Sequence, residues 1–169
     1  MTEHRLILLR HAKAEPLGGI EDAQRPLALK GRDQAVRVGQ SLASAGILPE
    51  AALVSSAVRT RETWRLVAAQ LPIQPALVTV SDDLYEAAVS TVFQAVRGLN
   101  EDVHTAIVVG HEPTMAWTAQ RLATQDSDRA ALAQVSVGVP TAAWSVLTSD
   151  LPWAQWQART ARLESVNRP

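Results

Sequence analysis

The chain has 169 residues, of which 47% are hydrophobic and 20% are charged, values that exclude a disordered or fibrous protein. Its 16 Lys and Arg residues against 17 Asp and Glu leave a net charge of -1, so there is no global basic field to recruit nucleic acid and any anion site must be local. Cysteine is absent, which excludes disulfides and thiolate chemistry and fits a reducing compartment.

The length predicts a single domain over residues 1–169, because it suits one sizeable core and is short for two. The apolar run after Arg5 is far too short for a secretory hydrophobic region or a membrane span. We therefore expect a cytoplasmic protein that binds neither membrane nor nucleic acid.

Strands and helices alternate in the predicted order of elements. Apolar, β-branched runs predict strands at 5–9, 52–55, 76–80, 105–109, 134–139 and 142–147. Apolar residues at helical spacing predict helices that follow Gly31, span 58–71, cover the region of 89–96 and follow Pro113. Such alternation is typical of an α/β fold, a three-layer α/β/α sandwich whose central sheet is mostly parallel.

The tail after residue 149 carries Trp153 and Trp156 at helical spacing. We expect these two indoles to cover an edge of the core.

Three predicted strands end in basic or imidazole side chains. Arg10 and His11 follow the first strand, Arg59 follows the second, and His111 follows the fourth. Because the carboxyl ends of parallel strands open onto one crevice, these four side chains are expected to converge.

A phosphoryl group would suit such a crevice. A planar guanidinium group can bind two of its oxygens at once, and helix N-termini offer further N–H donors. A positively charged pocket also disfavours a protonated imidazole, which lowers the pKa of a histidine and keeps one ring nitrogen able to attack phosphorus. His11 is the predicted nucleophile.

The motifs "LLRHA", "SSAVRTRET" and "VVGHEP", in this order, resemble the histidine phosphatase superfamily. The segment "QRPLALKG" further resembles its small bacterial phosphohistidine phosphatases of the SixA type. The resemblance extends from Arg5 to about Met115 and implies the phosphoglycerate mutase-like form of the fold. Two positions depart from the family pattern, Ala12 for a glycine and Ser56 for a frequent proline.

The resemblance also implies roles for individual residues. His11 would accept the phosphoryl group, while Arg10, Arg59 and His111 would hold its oxygens. Arg25 would add a phosphate contact at the rim of the pocket. Water would then hydrolyse the phosphohistidine, so neither metal nor cofactor is implied.

Glu86 is the candidate acid for protonating a leaving group, although an acidic residue near a helix start is also favoured by the helix dipole alone. The short separation of Arg59 from His111 leaves no room for a large cap insertion. An open pocket suits phosphohistidine on a partner protein. The alternatives are a phosphomonoesterase for a small phosphate ester and, from another class, a non-catalytic phosphate-binding module.

Other enzyme classes fit the sequence less well. His4 and His104 lie beside strand starts, away from His11, and are expected to face solvent, which leaves no zinc pattern. The sequence contains neither a Gly-x-Gly-x-x-Gly motif nor a Gly-Lys-Ser/Thr phosphate loop, which are typical of nucleotide-binding enzymes. A phosphoglycerate mutase would need an enclosed site to exclude water from the phosphohistidine, and the chain is short for that.

Overall fold

A computed structural model describes residues 2–169 and contains one six-stranded sheet in the order β3-β2-β4-β1-β5-β6. The strands are β1 His4–Arg10, β2 Ala51–Ser55, β3 Leu77–Ser81, β4 Thr105–Gly110, β5 Trp144–Ser149 and β6 Arg162–Asn167. β1, β2, β3 and β4 are mutually parallel, β5 runs antiparallel to β1, and β6 runs antiparallel to β5. The predicted α/β fold with a mostly parallel sheet is therefore confirmed.

Helices cover both faces of this sheet. The helices are α1 Leu29–Ser44, α2 Val58–Ala68, α3 Val89–Arg97, α4 Thr114–Leu122 and α5 Arg129–Val137. The apolar faces of α1 and α2 pack in one core cluster and those of α3, α4 and α5 in another, with the sheet between them. Because β1 is buried on both faces, Leu6, Ile7, Leu8 and Leu9 form a continuous apolar run.

The strand predicted at 134–139 is wrong, because most of these residues belong to α5. Val135, Val137 and Val139 alternate along the chain, and this spacing is typical of a strand. The Asp128 side chain accepts a hydrogen bond from the Ala131 N–H at 2.8 Å and so caps the helix, and Gly138 with φ of 99° ends it. Ala131 and Val135, one turn apart, are the residues that this helix buries.

The tail does cover an edge of the core, since Trp153 and Trp156 are fully buried. It also contributes β6, which the sequence analysis did not predict. The expectation that His4 faces solvent is wrong: its ring is buried against Trp153, with ring centroids 4.7 Å apart, and lies 3.0 Å from the Leu151 carbonyl oxygen. His104 is exposed, as expected.

The segment after β1 lies against the start of α1. The Ala28 N–H donates to the Lys13 carbonyl oxygen at 2.9 Å, and the Glu15 N–H donates to the Pro26 carbonyl oxygen at 2.9 Å. A Cβ on Gly31 would lie 1.9 Å from the same Lys13 oxygen, so only glycine permits this approach. The pairing carries Arg25, from the loop before α1, towards the carboxyl end of β1.

Among residues 2–169, no helix has both the length and the apolar composition that crossing a membrane requires.

Candidate active site

Three neighbouring strands bring the predicted residues to one edge of the sheet. β1 lies beside β4 and β4 beside β2, all parallel, so their carboxyl ends meet. The His11 and His111 rings follow β1 and β4, with centroids 5.3 Å apart. Arg59 lies in the first turn of α2, directly after β2, and its side chain is buried.

His11 is held as a neutral imidazole with one defined tautomer. Its Nδ1 lies 2.7 Å from the Ala12 carbonyl oxygen, which only accepts hydrogen bonds, so Nδ1 carries the proton and the Nε2 lone pair is left available. Burial, the largest cause, and the guanidinium groups of Arg59, Arg10 and Arg25 together lower the pKa of His11 to about 4. The ring is therefore uncharged and nucleophilic at neutral pH.

Ala12, which replaces the glycine of the family motif, fits without strain. Its φ is not positive, and its N–H donates to the Thr63 Oγ1 at 3.0 Å. The substitution therefore leaves the backbone at His11 in an ordinary conformation.

His111 is the second neutral imidazole. Its Nε2 lies 2.8 Å from the Ser55 Oγ, at the end of β2. Burial lowers the pKa of His111 to about 3, and the neighbouring His11 and Arg59 act in the same direction. Its Nδ1 is buried and has no partner within residues 2–169.

Two arginines have unpartnered donors beside these rings. Arg10 donates from Nη1 to the Val139 carbonyl oxygen at 2.8 Å, and Arg59 donates from Nη1 to the Asp22 carbonyl oxygen at 2.7 Å. In the described part of the chain the Nε atoms of both side chains are buried without an acceptor. Together with the Nδ1 of His111, they are three of only four such side-chain atoms in that part. Buried polar atoms are normally hydrogen-bonded, so this cluster indicates a place for an anion.

Asp22 is a site residue that the sequence analysis did not identify. Its Oδ2 accepts from the Arg59 Nη2 at 3.0 Å and also from the Tyr85 hydroxyl, while its Oδ1 accepts from the Arg25 Nε at 3.0 Å. These bonds, with that from Tyr85 largest, lower the pKa of Asp22 to about 2 and keep it ionised. The Asp22 carboxylate thus joins Arg25, Arg59 and Tyr85, the only tyrosine of the chain. The spacing of Asp22 three residues before Arg25 is the single hint in the sequence.

Arg25 and Glu86 lie towards the periphery of the site. Arg25 is partly exposed and donates from Nη1 to the Glu15 carbonyl oxygen at 2.9 Å. Glu86 is exposed, and it lines a cavity of about 290 Å³ together with Asp22, Arg59 and His111.

Glu112, which also lines this cavity, accepts hydrogen bonds from two backbone N–H groups next to the site. Its carboxylate accepts from the Ala116 N–H at 2.8 Å, which caps the start of α4, and from the Val139 N–H at 3.0 Å. The Val139 carbonyl oxygen in turn holds Arg10.

The described residues contain no group of three or more His, Asp or Glu side chains arranged to hold a metal ion. The side chains gathered here are two neutral imidazoles and three guanidinium groups, Arg10, Arg25 and Arg59. Such a set can bind a phosphoryl group and offer it one unprotonated nitrogen.

Comparisons with known proteins agree with this geometry. Residues 6–92 match the model of the histidine phosphatase superfamily (branch 1). An uncharacterised Mycobacterium tuberculosis protein is 34% identical over 162 residues, which is 95% of this chain and 99% of the relative.

Solved structures are similar over the whole chain. One is a protein from Nakamurella multipartitia proposed to be the phosphohistidine phosphatase SixA, 29% identical, covering 100% of this chain and 98% of that chain with a TM-score of 0.81. A second, from Agrobacterium tumefaciens with the same proposed identity, is 27% identical, covers 98% of both chains and has a TM-score of 0.82.

The low imidazole pKa values lead to a first prediction. Both His11 and His111 should remain neutral at pH 6, where a free imidazole with a pKa of about 6.5 is mostly protonated. Side-chain ¹⁵N NMR across pH 3–8 measures this directly, and the urea-unfolded chain, in which both rings should titrate near 6.5, is the control. A charged His11 at pH 6 would contradict the assignment.

The lowered pKa of His11 also determines how the free energy of unfolding changes with pH. Below about pH 6.5 the unfolded chain binds protons that the folded His11 does not accept until about pH 4. Stability contributed by the neutral ring should therefore be complete above pH 6.5 and decline as the pH falls towards 4, as urea unfolding at each pH would measure.

Proposed function

This chain belongs to the histidine phosphatase superfamily, and on that premise we propose that it hydrolyses phosphohistidine on a protein through a phosphohistidine formed on its own His11. The observation that carries the proposal is the set of unpartnered buried nitrogens, on Arg10, Arg59 and His111, around an imidazole with a free Nε2. A phosphoryl group supplies oxygen acceptors for those nitrogens and an electrophile for that Nε2.

The reaction has two displacement steps. In the first, the His11 Nε2 forms a bond to phosphorus while the N–P bond of the substrate breaks. The substrate imidazole carries a proton on its other ring nitrogen before the transfer and leaves as a neutral imidazole. In the second, water attacks the phosphorus while the bond to the His11 Nε2 breaks, the phosphate leaves as dihydrogen phosphate with both protons of the water, and His11 is again neutral with its proton on Nδ1. Arg10, Arg59 and His111 stabilise the charge on the equatorial oxygens in both steps, and Arg25 contributes from the rim.

The arginines take the place that a metal ion holds in other phosphoryl-transfer enzymes. Arg59 is buried, so its charge acts in a medium of low polarity where it is most effective. We therefore propose that turnover needs neither metal nor cofactor.

Two of the similar solved structures are proposed to be phosphohistidine phosphatases, and this supports a phosphohistidine substrate for the present chain. The chemistry supports it as well, because a protonated imidazole leaves readily whereas an alkoxide needs an acid. Glu86 gives a reason to keep a second candidate, a phosphomonoesterase for small esters, because this carboxyl group lines the same cavity as His111. A non-catalytic phosphate-binding module would have no use for an unprotonated Nε2 on His11.

Replacement of the nucleophile is the direct test. His11→Ala should abolish hydrolysis of phosphohistidine, followed by ³¹P NMR, and of p-nitrophenyl phosphate, each without added metal. The wild-type chain, quenched during turnover, should carry an acid-labile phosphoryl group on His11. His104→Ala is the control and should keep wild-type rates, because His104 precedes β4 at the amino end of the parallel strands, away from the site. Turnover that survives in His11→Ala would refute the proposal.

Asp22 should be needed for the position of both arginines. Asp22→Asn removes the charge that Arg25 and Arg59 share, and a small misplacement of phosphate-binding groups should lower kcat on p-nitrophenyl phosphate by about tenfold or more. Asp33→Asn is the matched control, because Asp33 pairs with Arg37 on the exposed surface of α1. Thermal unfolding distinguishes lost stability from lost positioning. An unchanged kcat would show that Asp22 has no such role.

Glu86 is tested by comparing two leaving groups. If Glu86 protonates an alkoxide, Glu86→Gln should slow an alkyl phosphate by about 100-fold and leave phosphohistidine hydrolysis nearly unchanged. Equal rates of wild type and variant on both substrates would exclude that role. Equal losses on both would instead indicate that Glu86 helps to bind the phosphoryl group.

A further inference from the structure

A groove lies between α3 and α4, about one helical turn along α4 from the residues that line the catalytic cavity. It has a volume of about 840 Å³, against about 290 Å³ for the cavity around His111. Neither the nucleophile nor the phosphate-binding residues line it. The proposed reaction therefore leaves this groove, which is larger than the catalytic cavity, without a role.

Residues of α4 line both the groove and the cavity, and α3, which lines the groove, follows Ala87 of the cavity. The Thr114 hydroxyl donates to the Ala87 carbonyl oxygen at 2.7 Å and ties the start of α4 to the residues before α3, where both line the cavity. Val89 on α3 and Trp117 on α4 then line the groove. Trp117 lies three residues beyond Thr114, about one helical turn or roughly 5 Å along the axis.

The surface of the groove is apolar and positively charged. Trp117 is 56% exposed, an unusual position for so large an apolar side chain, and the ring of Phe93 lies beside it in the groove. Arg121 and Arg159 line the same groove, while none of its nine lining residues is acidic. Arg97 stacks on the Phe93 ring, with its guanidinium carbon 5.6 Å from the ring centroid, and so places a third cation next to a ring that lines the groove.

Hydrogen bonds hold the backbone on the arginine side of the groove. The Arg159 N–H donates to the Arg121 carbonyl oxygen at 2.9 Å, which fixes the loop at 158–159 against the end of α4. Arg97 donates from Nε to the Trp156 carbonyl oxygen at 2.7 Å. A surface that presents a tryptophan and arginines has the residue types that dominate binding energy in protein interfaces.

We propose that this groove, α3–α4 with Arg121 and Arg159, binds the segment that flanks the phosphorylated histidine of a protein substrate, and that it selects segments with carboxylate and apolar side chains. The inference rests on the proposed function. Charge complementarity specifies the carboxylates, and Trp117 and Phe93 specify the apolar contacts. The groove begins about one helical turn along α4 from the cavity, within reach of a peptide segment that flanks a histidine bound there. Nucleic acid is a poorer fit, because the chain has a net charge of -1.

Two synthetic peptides test the selectivity. Both have 15 residues with a central phosphohistidine and leucines at the same positions, but one carries glutamates and the other lysines in the flanks. The wild-type chain should hydrolyse the glutamate peptide with a kcat/KM about tenfold higher than the lysine peptide, as expected for two to three partly exposed charge contacts. The difference should lie in KM rather than kcat, because docking is made equally in ground and transition states.

Substitutions in the groove should remove that preference. Arg121→Glu with Arg159→Glu should abolish or reverse the peptide preference, and Trp117→Ala should raise KM for both peptides about tenfold. All variants should hydrolyse p-nitrophenyl phosphate at wild-type rates, because that substrate does not reach the groove. Arg65→Glu is the matched control, an exposed arginine on α2 at the opposite face of the sheet.

The outcomes separate this inference from the proposed function. If the wild type hydrolyses both peptides equally well, or if the groove variants keep the wild-type preference, the groove is not a docking site although the phosphatase assignment stands. If neither peptide is hydrolysed but p-nitrophenyl phosphate is, the phosphohistidine substrate itself is wrong. If a single-stranded oligonucleotide at physiological salt competes better than the unphosphorylated glutamate peptide, the groove binds nucleic acid and the proposal is overturned.

Discussion

The hydrogen bond between the His11 Nδ1 and the Ala12 carbonyl oxygen is the interaction on which the rest of the site depends. It places the only ring proton on the nitrogen that faces the backbone, so the other nitrogen can react. That bond alone would favour a charged ring, yet burial and the guanidinium groups of Arg59 and Arg10 outweigh it, and the pKa of His11 falls to about 4. Hydrogen bonding sets the tautomer, and the surrounding charge and desolvation set the protonation state.

Gathering so many positive groups in one place requires a negative group within the protein, and Asp22 supplies it. Its carboxylate contacts Arg25, Arg59 and Tyr85, which come from the loop before α1, the start of α2 and the segment before α3. The shared acceptor holds guanidinium groups that would otherwise repel one another. Because each of them still has N–H groups to spare, the carboxylate orients the arginines without using up their capacity to bind phosphate.

The local sequence pattern does not predict the structure at three places, and tertiary contacts decide the outcome at each. The alternating valines of 134–139 indicate a strand, but Asp128 caps a helix there and Val135 packs against the core. β6 was not predicted because few of its residues are apolar, and it forms through pairing with β5. His4 is buried through contact with Trp153, which is far away in the chain.

The sequence by itself determined the alternation of strands and helices and the placement of Arg10, His11, Arg59 and His111 at strand ends, because both follow from local hydrophobic periodicity and chain direction. Only the tertiary structure decided which neighbours each side chain meets. The bonds of Asp22 to Arg59 and Tyr85 link residues 37 and 63 positions apart. The unpartnered nitrogens on three strand ends likewise exist only once the sheet has assembled. Such contacts depend on distances between elements, and no local pattern encodes them.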